Sequence, residues 1–83
     1  MSYWDSVPVG TWTVVDTNDC LDAINDIESR CHIDYKHERI NIYGPSKKSL
    51  IVDLATIKRL MGLDDFTELM TSIEHIIYGC TEH

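Results

Sequence analysis

Residues 44–48, Gly44-Pro45-Ser46-Lys47-Lys48, form the clearest loop in the chain and narrow its fold more than any other feature. They separate Arg39–Tyr43 from Leu50–Leu54, two short runs rich in Ile, Val and Leu with the look of half-buried strands. Two such runs joined by so short a turn pair antiparallel, which commits the middle of the chain to a hairpin. Just upstream the alternation changes phase. Ile33 and Tyr35 share one parity, Ile40 and Ile42 the other. A turn or bulge near Lys36-His37-Glu38 would reset it, making 32–43 either two strands or one bent strand.

Outside this region the periods are mixed. Val7-Pro8-Val9-Gly10 reads as a turn into a strand over 11–16, with Trp12 and Val14 on one face and Trp12 expected in the core. Asp16, Thr17 and Asn18 are all suited to cap a helix. The spacing of Cys20, Ala23, Ile24, Ile27 and Cys31 predicts an amphipathic helix over 18–30, about three turns long, with Asp19, Asp22 and Asp26 on its opposite stripe. After Leu54 comes a short helix with Ile57, Leu60 and Met61 inward, stopped by Gly62. A last helix carries Phe66, Leu69, Met70, Ile73 and Ile77 as its stripe, with a capping-box pair Asp65/Glu68 at its start and Gly79 just past its end. The order β-α-β-β-(β)-α-α describes an α+β fold: one small two-layer domain over 1–83, its mainly antiparallel sheet covered on one face by helices.

Eighty-three residues support one modest core, worth only about 3–5 kcal/mol, so a homodimer or a tightly held partner would help to keep it folded. No apolar run approaches the roughly 18–20 residues that span a bilayer, and the first residues lack the pattern of a secretory signal. Three cysteines, an odd number, read as reduced thiols. On one helix Cys20 and Cys31 would lie roughly 16 Å apart, too far for a disulfide, while Cys80 falls in a polar tail. These features together lead us to expect a cytoplasmic protein.

Charge is segregated along the chain. All seven Lys and Arg lie between positions 30 and 59, so that residues 1–29, 30–59 and 60–83 carry net charges of −6, +4 and −5. Such patterning speaks of partners and encounter rather than of fold. The four glycines stand alone, and no phosphate loop, dinucleotide fingerprint, C-x-x-C, H-E-x-x-H or G-x-S-x-G occurs. We therefore expect a non-enzymatic protein without a cofactor. Cys31, Asp34 and His37 have the side-chain types of a zinc site but the spacing of a strand, which makes a small metal-binding protein the weakest of three readings. Lys47, Lys48, Lys58 and Arg59 are too few, in a chain of pI about 4.7, to expect direct nucleic-acid binding.

The acids are more promising. Asp19, Asp22 and Asp26 on the first helix and Asp64, Asp65 and Glu68 on the last lie in stretches without a base. Carboxylates one helical turn apart, about 5–6 Å, approach the phosphate spacing of a nucleic-acid strand and can compete for a basic groove. Trp4, outside the first strand, is expected to anchor such an interface. In size, acidity and lack of catalytic motifs the chain resembles the small inhibitors of phages and mobile elements, such as anti-CRISPR, anti-restriction and immunity proteins. This is a likeness of profile that covers no specific residue. The leading expectation is an acidic decoy that occupies the nucleic-acid-binding site of a basic protein. The second is a homodimeric structural or assembly protein.

Overall fold

A computed structural model describes residues 3–79, leaving Cys80 and Glu82 outside the described residues. A single 3-10 turn, Tyr3–Ser6, leads into strand β1 (Gly10–Val14) and helix α1 (Thr17–Asn25). Then come β2 (Arg30–Asp34), β3 (Arg39–Tyr43), β4 (Lys48–Asp53), α2 (Leu54–Met61) and α3 (Leu63–Tyr78). The sheet order is β1-β4-β3-β2. Consecutive strands β2, β3 and β4 pair antiparallel, whereas β1 adds to the outer side of β4 in parallel, Trp12 facing Leu50 and Val14 facing Val52. The result is a four-stranded mixed sheet with three α-helices, the α+β class expected. Among the described residues no helix is long and apolar enough to cross a membrane.

Both hairpins are explained by their turns. Ser46 and Lys47 take left-handed φ of 58° and 65°, and the N–H of Lys48 donates to the carbonyl of Pro45 at 3.1 Å. Two successive positive φ values match the right-handed twist of the flanking strands. Between β2 and β3 the phase reset falls on the turn at 35–38. There Asp34 accepts from the N–H of His37 at 3.2 Å and meets the His37 ring Nδ1 at 2.8 Å.

Helix α1 is shorter than its stripe suggests. Of the three candidate caps it is Asp16 that caps it, accepting from the N–H groups of Asn18 and Asp19 at 2.8 and 3.4 Å. At the other end Asp26 leaves the helix with extended backbone. Its carboxylate accepts from the N–H of Glu28 at 2.8 Å, and the Ser29 hydroxyl donates to the carbonyls of Asp26 and Ile24 at 2.8 and 3.2 Å. Short polar side chains offer the backbone a local alternative to the next helical turn, and here that alternative wins. Ile27 is consequently 97 % exposed rather than inward, and Cys31 belongs to β2 rather than to the helix. Cys20 and Cys31, both free, belong to different elements and pack into the same core instead of marking the ends of one helix.

The core lies between the sheet and the helices. It is built from Ile33, Ile40, Ile42, Leu50 and Val52 below, with Cys20, Ala23, Ile24, Ile57, Leu69 and Ile73 above. The two tryptophans exchange the places expected of them. Trp4 is fully buried and Trp12 is 49 % exposed. The 3-10 turn carries the Trp4 indole onto Gly44, where a Cβ would stand 2.2 Å from the ring, so only glycine leaves it a flat seat. The Lys48 ammonium then donates to the Trp4 carbonyl at 2.6 Å. Trp12 points to the helix side of the sheet, but from its outermost strand. Leu60, expected inward, is 70 % exposed, whereas Leu54 and Ile57 supply the buried side of α2. Helix α3 starts at Leu63 behind Gly62, whose φ of 90° breaks the path from α2, and its N-cap makes no side-chain hydrogen bond. Asp65 therefore sits in the first turn, and the Asp65/Glu68 capping box does not form. Gly79 closes the helix with φ 77°, as expected.

Candidate acidic interface

The two helices that carry the acids use them differently. On α1, Asp22 is exposed and Asp19 half-buried beside Tyr3. The Tyr3 hydroxyl is held above its ordinary pKa, by burial first and then by the negative field of Asp19, Asp22 and Asp16. Asp26 is committed inward. Its second oxygen accepts from the N–H of Tyr3 at 2.7 Å, tying the N-terminal turn to the end of α1. On α3, Asp64, Asp65 and Glu68 are all exposed. They lie in its first two turns, where carboxylates are favoured by the positive end of the helix dipole.

These acids do not merge into one continuous strip. Ile24 of α1 and Ile76 and Ile77 of α3 line one hollow, so α1 meets the C-terminal end of α3. Glu68 precedes Ile76 by two turns, about 12 Å along the axis. The molecule therefore presents two anionic patches on its helical layer, one led by Asp22 and one by Asp64, Asp65 and Glu68. Among the described residues none of Asp19, Asp22, Asp64, Asp65 and Glu68 forms an ion pair with Lys or Arg. Four of the seven bases are turned to other tasks. Arg30 and Arg39 project from the uncovered face of the sheet, in the rows of Tyr43 and Asp53. Lys48 binds the Trp4 carbonyl, and the Lys58 ammonium stands 5.8 Å from the centre of the Phe66 ring.

Trp4, the expected anchor, is sealed in the core and is removed from the interface. A different aromatic feature takes shape beside α3. Tyr35, Glu38, Leu54, Phe66, Met70 and Glu74 line a cleft of about 250 Å³ with an apolar floor and two carboxylates. The Tyr35 hydroxyl donates to Glu74 at 2.8 Å, and this bond, together with the nearby Tyr78, raises its pKa strongly. Nothing in the sequence pairs Tyr35 with Glu74. They are 39 residues apart, and only the docking of α3 against the β2–β3 turn joins them.

The cysteine, aspartate and histidine of the supposed metal site are not brought together. Cys31 faces Ile42 on the core side of β2, while Asp34 points to the other face and is occupied by His37 in the turn. Among the described residues no three of His, Cys, Asp and Glu are placed to hold a metal ion. Burial pushes the Cys20 thiol up to about 12 and raises that of Cys31, the opposite of what a metal ligand or nucleophile needs. Compared with protein-family models, with curated proteins and with solved structures, the chain matches none.

Proposed function

We propose that this chain is a non-enzymatic, cytoplasmic binding protein whose anionic helices occupy a basic site on another protein, one that ordinarily holds nucleic acid. The observation that carries the reading is the state of the helix acids. Asp22, Asp64, Asp65 and Glu68 stand exposed and have no Lys or Arg counter-ion among the described residues. Unneutralised carboxylates on rigid helices steer a cationic partner and give fast, salt-sensitive association. Asp26 and Trp4 drop out of the contact set, since one ties the N-terminal turn and the other packs on Gly44. The cleft beside α3 supports the same reading, because an apolar floor with Glu38 and Glu74 near it suits the stem and head of a lysine or arginine side chain.

The test is capture of basic proteins by the immobilised chain at low and high salt, with nucleic acid as competitor. The bound protein should be released by salt and by duplex DNA or RNA. It should be lost with the combined variant Asp22→Asn, Asp64→Asn, Asp65→Asn, Glu68→Gln, provided its thermal unfolding is preserved. Capture that survives both the variant and the competitor would reject the reading.

A further inference from the structure

The two edges of the sheet are built in opposite ways. The β2 edge carries Arg30, His32 and Asp34 on its open face, the charged side chains by which sheets discourage further pairing. The β1 edge carries none. Between Asp5 and Asp16 the chain has no charged residue, although its net charge is −7. Val9, Trp12 and Val15 along this edge are 64, 49 and 45 % exposed.

The phase of the backbone groups on β1 follows from its parallel ladder. The Gly10 N–H donates to the Lys47 carbonyl, so Gly10, Trp12 and Val14 direct their backbone groups toward β4. In a strand the intervening residues then direct theirs the other way, so the N–H and C=O of Thr11 and Thr13 face outward. A second copy of the same strand, laid antiparallel about a two-fold axis through Trp12, fits this pattern. Thr11 meets Thr13 of the second copy as a hydrogen-bonded pair, and Trp12 meets its own equivalent at the closer, non-hydrogen-bonded position. Val9 meets Val15 in the same register. Every apposed pair is thus Thr with Thr, Val with Val, Trp with Trp or Gly with Val, combinations without like charges.

We propose that the chain forms a homodimer through β1, joining two four-stranded sheets into one of eight strands, with both helical layers on the same face and the two Trp12 rings side by side at the seam. A second copy is the fitting occupant because the edge is self-complementary in hydrogen-bond phase and residue type, and because it is the one long stretch where two anionic molecules can meet without opposing charges. The proposal stands independently of the acidic interface, which lies on the helices.

Sedimentation of the full chain at micromolar concentrations tests it, with two edge variants. Thr11→Lys/Thr13→Lys sets lysine against lysine at both hydrogen-bonded pairs, and should weaken the dimer by roughly tenfold or more. Thr11→Lys/Thr13→Glu sets lysine against glutamate in the same register, and should sediment as a dimer. The Lys/Lys chain mixed with Thr11→Glu/Thr13→Glu should also form a dimer, which shows that each is folded. A wild-type chain that stays monomeric, with freely exchanging Thr11 and Thr13 amides, overturns the proposal and leaves the edge to an extended segment of another protein. A dimer that Thr11→Lys/Thr13→Lys leaves untouched overturns it equally, since it must use another face.

Discussion

Gly44 and Trp4 are a pair that works only together. The indole covers the one residue of the β3–β4 turn that has no Cβ. Gly44→Ala should cost more than the about 1–3 kcal/mol of ordinary overpacking, because a whole ring rather than a flexible tip must move. Trp4→Ala should cost about 3–5 kcal/mol, enough to unfold a domain of this size in water. Leu60→Ala should change stability by less than about 0.5 kcal/mol, since that side chain is 70 % exposed. Urea titration followed by far-ultraviolet circular dichroism distinguishes the three. The cysteines provide a chemical counterpart. With its thiol pushed up to about 12, Cys20 should resist iodoacetamide at neutral pH in the folded protein and react only on unfolding. Peptide mapping after brief alkylation reads this directly.

At the scale of elements, both ends of α1, the turn between β2 and β3 and the start of α2 are decided by a polar side chain turning on its own backbone. Asp26 shows it most clearly. Asp26→Ala removes acceptors from the Tyr3 and Glu28 N–H groups and should destabilise by about 1–3 kcal/mol. Asp22→Ala, four residues earlier and exposed, should be near neutral in the same denaturation experiment. Asp53 shows it again at the start of α2. The Thr56 hydroxyl, then the Thr56 and Ala55 N–H groups, hold its carboxyl below the ordinary 3.8, and His37 does the same for Asp34. A carboxyl whose pKa is lower folded than unfolded stabilises above the unfolded value, and that stability disappears as pH falls through the folded one. Melting temperature should therefore decline as pH drops below about 4, and Asp53→Asn should flatten the decline. Much of this was legible in advance. The strand–helix order, the β3–β4 hairpin, a cap within residues 16–18 and the Phe66-to-Ile77 stripe all follow from period and turn chemistry, whereas the pattern left 32–43 open between two strands and one bent strand. The end of α1 was not, because Ile27 and Cys31 continue the helical spacing and only the competing bonds of Asp26 and Ser29 break it. The exchange of Trp4 and Trp12 was hidden for a different reason. It depends on which strand is outermost, and strand order is long-range information that no local pattern carries. The acids of α1 and α3 were legible as charge, but their division into two patches required the packing of one helix on the other.

The whole molecule is electrically lopsided. Helices α1 and α3 bear the exposed Asp22, Asp64, Asp65 and Glu68 against only Lys58 and Arg59 on α2, while on the open face of the sheet Arg30 and Arg39 are balanced by Asp34 and Asp53. Repulsion within the helical layer opposes folding and should be relieved by screening. Melting temperature should accordingly rise as sodium chloride is raised from near zero to about 0.15 M, where the Debye length is about 8 Å. The combined neutral variant of the α1 and α3 acids should show a smaller rise, and differential scanning calorimetry measures both. The order in which the chain is made adds a constraint of another kind. Thr11 finds its side-chain partner Ser49 only 38 positions later, so a growing polypeptide releases its first strand well before the strand that must receive it. During that interval an uncharged, threonine- and valine-rich segment waits in the crowded surroundings of the ribosome with no native neighbour, and the hazard passes only when synthesis reaches residue 52 and β1 is taken up alongside β4.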